Sequence, residues 1–122
     1  MATLPFFDEI RRLSGDAPVY AGVEGNPVLL QVTAGHTAYK EAQADSIIAV
    51  GGGAACDVAK AIAVLANHGG DLFEYAFDAK PGRPINKTLP PILALPTTAG
   101  TGSEVGRSTV ISTDAGHQKK IL

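Results

Sequence analysis

Residues 46–68 constrain the fold of this chain more than any other stretch. They read SIIAVGGGAACDVAKAIAVLANH, a short apolar run followed by three glycines and then by apolar residues spaced three or four apart. A short apolar run rich in β-branched residues is typical of a buried parallel strand, and the later spacing is typical of a helix packed on one face. The stretch therefore predicts a strand at residues 47–50, a tight turn at residues 51–53 and a helix at residues 55–67.

The glycine turn between this strand and this helix is a candidate anion site. Glycine lets the backbone approach a ligand closely, and the free N–H groups at a helix start carry partial positive charge. One interpretation is that Gly52 and Gly53 hold the pyrophosphate of a dinucleotide. The alternative is a tight turn in which the glycines serve backbone geometry alone. The turn lacks the GxxxxGK[ST] pattern, which argues against an ordinary NTPase loop, and it also lacks the GxGxxG pattern.

Asp57 lies in the first turn of the predicted helix. The helix dipole favours a carboxylate there by about 0.3–1 kcal/mol, which is one sufficient reason for its presence. The other interpretation is functional, with Asp57 accepting hydrogen bonds from a ribose or nicotinamide group beside the glycine turn. That interpretation requires the carboxylate to point away from the phosphates, which would repel it.

A second polar segment, PTTAGTGSE at residues 96–104, is here called the Thr-rich loop. It follows an apolar run at residues 92–95 that we predict to be a second buried strand. Because parallel strands end at the same edge of a sheet, this loop is expected beside the glycine turn. Its hydroxyl groups and glycines offer donors and acceptors with little bulk, which suits adenine, ribose and phosphate oxygens. The alternative is a polar loop whose hydroxyls bond to its own backbone.

Weaker patterns predict the remaining elements of an α/β domain. The alternation of strands and helices favours three layers around a parallel sheet. The further predicted elements are a helix at residues 6–13, a strand at 18–21, a helix at 28–44, a short turn or helix at 71–76, a loop at 78–90, a strand at 108–113 and its hairpin partner at 119–122. Strand edges left unpaired by so small a sheet lead us to expect a homo-oligomer, strand exchange or poor solubility.

Composition narrows the classes of protein to which this chain can belong. Of its 122 residues, 45% are hydrophobic and 18% are charged, which fits a globular domain and not a disordered one. A net charge of −2 without a basic run argues against a nucleic-acid surface, and no apolar run reaches the length of a membrane span. Cys56 is the single cysteine, so no internal disulfide can form and a cytoplasmic protein is expected.

The three histidines give no support for a metal site. His36, His68 and His117 are far apart in the sequence and show neither HxxxH nor HExxH spacing. We expect them at the surface or at helix ends. Cys56, at the predicted helix start, is expected to fill the contact between helix and sheet as a small residue. The alternative is a thiol whose pKa is lowered by the helix start.

Three stretches together resemble the iron-containing alcohol dehydrogenase family, also known as the group III alcohol dehydrogenases. They are GVEGNP at residues 22–27, IIAVGGGAACDVAKAIAV at residues 47–64 and LPPILALPTTAGTGSEV at residues 89–105. The last stretch is specific, because glycerol dehydrogenases and dehydroquinate synthases, which share the fold, usually have other residues there. The resemblance implies a Rossmann-like NAD(P)-binding domain, with the parallel sheet and flanking helices of the dehydroquinate synthase type, followed by an all-helical metal-binding domain.

The resemblance also implies roles for residues of the glycine turn. Gly52, Gly53 and Ala54 would contact the pyrophosphate of NAD or NADP, and Asp57 would face the nicotinamide side. Ala54 stands where the family usually has a serine, so one hydroxyl donor to the phosphate is missing.

Five further residues are implied to bind the same cofactor. Thr97, Thr98 and Thr101 would line the adenosine and phosphate region. Asn26 matches a family asparagine near the cofactor, and Lys120 matches a family lysine that reaches the ribose.

The resemblance covers only part of the family's architecture. We therefore expect residues 1–122 to be a truncated part of the NAD(P)-binding domain, without the family's first strand–helix–strand segment and without its helical domain. In the full-length family, Fe²⁺ or Zn²⁺ polarises a small alcohol or aldehyde while hydride passes to or from the cofactor. Two hypotheses follow, a cofactor-binding portion of such an enzyme or a non-catalytic dinucleotide-binding remnant that depends on a partner. In either case we expect little or no turnover from this chain alone.

Overall fold

The computed structural model describes residues 4–115 and 118–122. Within these ranges the chain forms helices α1, Pro5–Leu13; α2, Leu29–Glu41; and α3, Gly53–His68; a 3₁₀ helix, Leu72–Tyr75; and strands β1, Ile47–Gly51; β2, Ile92–Pro96; β3, Val110–Ser112; and β4, Lys119–Ile121. No helix in these ranges is both long enough and apolar enough to cross a membrane.

β1 and β2 form the parallel sheet that the sequence predicts. Ile47 pairs with Ile92 and Gly51 pairs with Pro96, so the two strands run in register along their whole length. Helix α3 packs against both strands and against α2. The predicted three-layer arrangement, with helices on both faces of the sheet, stays a prediction. A separate antiparallel pair, β3 and β4, confirms the predicted pairing of the last two strands.

One hydrophobic core joins α2, α3, the 3₁₀ helix and β3. Val32, Val58, Leu72 and Ile111 are enclosed in it, each with no more than 1% of its surface exposed. Because these four side chains come from four separate elements, packing between elements and not local preference fixes the position of β3. The core therefore brings the segment that follows the Thr-rich loop back onto α3.

Gly35 lets α2 approach α3 closely. The residue is buried, and a Cβ atom built on it would lie 2.5 Å from Cδ1 of Ile62 and 2.9 Å from Cε1 of Tyr20. Glycine costs a helix interior about 1 kcal/mol relative to alanine. The close contact explains why a glycine is nevertheless found in the middle of α2.

Gly35→Val is expected to destabilise the fold by about 1–3 kcal/mol, the usual cost of overpacking a core. Ala34→Val is the matched control, because Ala34 is exposed on the same helix and valine there loses only helix propensity. Urea unfolding followed by circular dichroism measures both variants. Equal unfolding midpoints for the two variants would show that Gly35 does not occupy a tight contact.

The predicted strand at residues 18–21 is wrong. The segment is irregular and joins no sheet, because no described strand runs beside it. It is held instead by Tyr20, whose hydroxyl group donates a hydrogen bond of 2.9 Å to the carbonyl oxygen of Gln31 in α2. A sequence pattern can indicate strand preference, but a strand also needs a neighbour to receive its backbone groups.

Two helix boundaries also differ from the prediction. α2 ends at Glu41 and not at residue 44. Gln43, two residues beyond this end, has a left-handed φ of 50°. α3 begins at Gly53 and not at residue 55, so the last glycine of the turn is already helical. The second difference matters for ligand binding, since it places the first free N–H groups of the helix at Gly53 and Ala54.

Candidate functional site

The glycine turn and the Thr-rich loop meet at one edge of the parallel sheet, as predicted. β1 and β2 end side by side, and the backbone N–H of Thr97 donates to the carbonyl oxygen of Gly51 at 2.9 Å. The next residue of each loop is also close to the other loop, since a Cβ atom built on Gly52 would lie 3.8 Å from Oγ1 of Thr98. The two loops are therefore neighbours across the carboxyl ends of the strands, where open α/β sheets bind ligands.

The start of α3 presents backbone donors that no side chain caps. Gly52 is the N-cap residue, and its carbonyl oxygen accepts hydrogen bonds from the N–H groups of Ala55 and Cys56. Among the residues that the structure describes, nothing accepts a hydrogen bond from the N–H groups of Gly53 and Ala54. Two free donors at the positive end of a helix dipole favour an anion.

The glycines let the start of α3 lie close to the Thr-rich loop. A Cβ atom on Gly53 would lie 3.3 Å from Oγ1 of Thr101, closer than ordinary van der Waals contact. Thr98 and Thr101 are both exposed, so a ligand at this edge of the sheet can reach their hydroxyl groups. We call residues 52–54 together with residues 97–101 the cradle. Its backbone N–H groups and small hydroxyl side chains suit the oxygens of a pyrophosphate.

Lys60 ties the segment after the cradle to α3, a role that the sequence prediction missed. Its Nζ atom donates to the carbonyl oxygens of Ser103 at 2.9 Å, Ser108 at 2.5 Å and Gly106 at 3.3 Å. The same atom lies 3.3 Å from Oδ1 of Asp57, and only 17% of each of these two side chains is exposed. One largely buried ammonium group therefore holds three carbonyl oxygens in place.

The Asp57 carboxylate is engaged by the protein itself. Its Oδ1 atom also accepts a hydrogen bond from the Ser103 hydroxyl at 2.5 Å, and its backbone carbonyl oxygen accepts one from Thr109 at 2.8 Å. The signal for the pair with Lys60 was present in the sequence, since residues three apart on a helix are neighbours. Both described side-chain contacts of Asp57 use Oδ1, and its contact with a nicotinamide stays a prediction.

Two of the predicted cofactor residues make their contacts in other parts of the fold. Lys120 lies in β4, and its Nζ atom forms an ion pair of 2.8 Å with Asp78. Asn26 is exposed in the turn before Pro27, whose carbonyl oxygen accepts a hydrogen bond from the N–H of Ser112. No hydrogen bond joins either residue to the glycine turn in the described chain. Their contact with a cofactor stays a prediction.

His68 ends α3, as expected of a helix-end histidine, but it is buried and not at the surface. Its Nε2 atom accepts hydrogen bonds from the backbone N–H groups of Asn86 and Lys87 at 3.1 and 3.0 Å. The side chain therefore anchors the loop of residues 78–90. His117 lies outside the described residues. Within 4–115 and 118–122, no three His, Cys, Asp or Glu side chains form a group that could hold a metal ion.

Cys56 fills the interior at the first turn of α3, as predicted. Only 2% of its surface is exposed. Burial raises the pKa of its thiol, and the negative charge of Glu104 acts in the same direction. The alternative of a thiol with a lowered pKa is therefore contradicted, because burial disfavours the charged thiolate.

A family model and a curated dehydrogenase both match this chain. The family model described as iron-containing alcohol dehydrogenase matches residues 3–122. The chain is 38% identical over 109 residues to choline dehydrogenase of Bacillus subtilis (strain 168), a match that covers 88% of this chain and 27% of that protein. The chain therefore spans about a quarter of the length of this relative.

Solved structures share the fold of this chain. An alcohol dehydrogenase from Oenococcus oeni superposes with a TM-score of 0.83 at 35% identity, over 98% of this chain and 32% of that one. The sulfoacetaldehyde reductase of Bifidobacterium kashiwanohense, solved in complex with NAD⁺, gives a TM-score of 0.78 at 28% identity, over 96% of this chain and 32% of that one. With the family model matching nearly every residue, this chain belongs to the iron-containing alcohol dehydrogenase family.

Proposed function

We propose that this chain supplies the dinucleotide-binding part of an NAD(P)-dependent and metal-dependent alcohol dehydrogenase. The observation that carries the proposal is the cradle, where the glycine turn and the Thr-rich loop meet at the carboxyl edge of the parallel sheet. Membership of the iron-containing alcohol dehydrogenase family supports the reaction class. The NAD⁺ complex of the related sulfoacetaldehyde reductase supports the class of cofactor.

In this proposal the pyrophosphate lies over the start of α3. The N–H groups of Gly53 and Ala54 would donate to its oxygens, and the helix dipole would add a favourable field. Asp57 would not oppose this binding, because the Lys60 ammonium lies 3.3 Å from its Oδ1 atom and offsets its charge. Since Ala54 has no hydroxyl group, the backbone donors would carry phosphate binding.

The Thr-rich loop would hold the adenosine side of the cofactor. Thr97, Thr98 and Thr101 are exposed at the sheet edge, where their hydroxyl groups can donate to and accept from ribose and phosphate oxygens. We also propose that Asn26 and Lys120 approach the cofactor when it binds. For Lys120 this requires release of its ion pair with the exposed Asp78, and such a pair is worth about 1 kcal/mol or less.

The described residues do not fit a metal ion, and no step is assigned to a metal held by this chain. In the proposal, a helical domain outside these residues holds the Fe²⁺ or Zn²⁺ ion, which would polarise the oxygen of a small alcohol or aldehyde. The chain's own part is to bind the dinucleotide and to orient it toward that domain. We further propose that the protein is cytoplasmic, which the free cysteine supports, and that it is a homo-oligomer, which unpaired strand edges favour in so small a sheet.

Isothermal titration calorimetry with NAD⁺ and NADP⁺ tests this proposal. Gly52→Val is expected to weaken binding about 10–100-fold, because the side chain would fill the cradle and displace charge-assisted hydrogen bonds to phosphate. Ala66→Val, near the other end of α3, is the control and should bind like the unaltered chain. Undetectable binding of both dinucleotides, or an unchanged affinity in Gly52→Val, would contradict the proposal.

A further inference from the structure

His68, at the end of α3, holds an exposed segment of the chain through its imidazole ring. The Nε2 atom accepts hydrogen bonds from the backbone N–H groups of Asn86 at 3.1 Å and Lys87 at 3.0 Å. A ring nitrogen accepts a hydrogen bond only when it carries no proton. The proton of the neutral ring is therefore on Nδ1, which donates to the carbonyl oxygen of Val64 at 3.2 Å.

Few other contacts hold residues 84–90 in place. Among the described residues, their remaining hydrogen bond is the one that the Asn67 side chain donates to the carbonyl oxygen of Thr88. Most of the segment is exposed, so burial of apolar surface contributes little to its position. Its two flanks are fixed separately by backbone hydrogen bonds at Arg83 and Pro91. The end of α3 is therefore the main attachment of the segment between these two points.

The titratable groups of the 3₁₀ helix, which packs against α3, are engaged with other partners. Asp71 accepts a hydrogen bond from a backbone N–H of its own helix, and the Tyr75 hydroxyl group donates one of 2.6 Å to a backbone carbonyl oxygen. Glu74 forms an ion pair of 2.8 Å with Arg83. Within the part of the chain that the structure describes, no carboxylate forms a hydrogen bond or an ion pair with His68, so none directly offsets a positive charge on its ring.

The loop that covers His68 brings cations to it. Arg83 donates from Nη2 to the backbone carbonyl oxygen of His68 at 3.2 Å, and its guanidinium carbon lies 4.9 Å from the centre of the Tyr75 ring. Lys87 presents its backbone N–H to Nε2. The end of a helix favours a cation, but a proton on Nε2 would face the hydrogen atoms of two N–H groups. Protonation of the ring is therefore incompatible with both hydrogen bonds to the segment.

We propose that His68 is a pH-dependent switch that holds residues 84–90 against α3 when its ring is neutral and releases them when Nε2 takes up a proton. Histidine is the side chain whose charge ordinarily changes between about pH 5 and 8, so release follows acidification. The hydrogen bond from Ile47 to the Pro91 carbonyl oxygen keeps β2 in place and limits the release to this segment. The proposal is independent of dinucleotide binding, because it uses the end of α3 and not its start.

Amide hydrogen exchange of the whole 122-residue chain, measured by NMR from about pH 8 to about pH 5, tests the proposal. Protection factors remove the direct effect of pH on the exchange chemistry. Those of Asn86 and Lys87 are expected to fall about tenfold or more on acidification, because their N–H groups lose their acceptor. Protection of Leu65, which is buried in α3, should not change, and this shows that the fold persists.

The ¹⁵N chemical shifts of the His68 ring give an independent measurement on the same samples. The proton is expected on Nδ1 at the alkaline end of the range, because Nε2 is the acceptor. The ring should then titrate with the same midpoint as the loss of protection at Asn86 and Lys87. A neutral ring with its proton on Nε2, or two different midpoints, would overturn the proposal.

Two variants separate the charge of the ring from its other contacts. His68→Gln keeps an acceptor oxygen and does not titrate, so protection of Asn86 and Lys87 should no longer depend on pH. His36→Gln, in α2, is the matched control and should keep the pH dependence. If His68→Gln does not fold, the ring titration of the unaltered chain still tests the proposal. Constant protection of Asn86 and Lys87 over this range, or a pH dependence that persists in His68→Gln, would also overturn it.

Discussion

Lys60→Met is expected to lower the free energy of unfolding by about 3 kcal/mol, because it removes one partner of a largely buried ion pair. Methionine fills much of the same space but donates no hydrogen bond. The carbonyl oxygens of Ser103, Gly106 and Ser108 would then lose their donor. Asp57 would lose the cation beside its carboxylate. The Thr-rich loop should separate from α3, and NAD⁺ binding should weaken with it.

Lys40→Met is the matched control for this variant. Lys40 is exposed in the last turn of α2, where such a change shifts stability by about 0.5 kcal/mol or less. Urea unfolding measures both variants, and adding Asp57→Asn to Lys60→Met should recover part of the loss, because the unpaired charge is removed. Equal stability of the Lys60→Met and Lys40→Met chains would show that the network around Lys60 does not hold the loop.

Gly51→Ala is expected to destabilise the fold by about 3 kcal/mol, from backbone strain together with steric overlap. Gly51 has a φ of 147°, a conformation that residues with a side chain rarely adopt. A Cβ atom there would also lie 2.8 Å from Cβ of Ala55 in the first turn of α3. Either β1 or the start of the helix must move, so the turn that shapes the cradle should be lost.

Gly100→Ala separates these effects from the general consequences of replacing a glycine. Nothing lies within 4 Å of a Cβ atom built on Gly100, and its φ is not in the left-handed region. Alanine at a compatible glycine site stabilises by about 0.4–1 kcal/mol through the unfolded chain. Thermal unfolding followed by circular dichroism compares the two variants. A Gly51→Ala chain as stable as Gly100→Ala would contradict the described geometry of the turn.

Local sequence patterns were sufficient to predict the part of the fold that positions the cradle. The apolar run at residues 47–50 is followed by three glycines, and the run at residues 92–95 is followed by a segment rich in threonine and glycine. These runs form β1 and β2 in the structure. Because parallel strands end at the same edge, the glycine turn and the Thr-rich loop that follow them are neighbours there. Strand preference, helical spacing and the direction of parallel strands are all readable within a window of a few residues.

Contacts between distant residues explain what the sequence patterns missed. The role of Lys60 in holding the loop was missed, since the carbonyl oxygens that it binds belong to residues more than forty positions away. His68 is buried because backbone N–H groups of Asn86 and Lys87 reach it from a loop without periodicity. Residues 18–21 had strand composition, but no described strand pairs with them. Each of these outcomes is set by tertiary packing and not by local preference.

The most direct test of the account is a titration of the ¹⁵N-labelled chain with NAD⁺, followed by amide chemical shifts. The largest changes are expected at Gly52, Gly53, Thr98 and Thr101, where the proposed pyrophosphate site lies. Saturation should leave the amides of α1 unchanged. Shifts confined to residues away from the glycine turn, or no shift at millimolar NAD⁺, would contradict the claim that the two loops form one dinucleotide site.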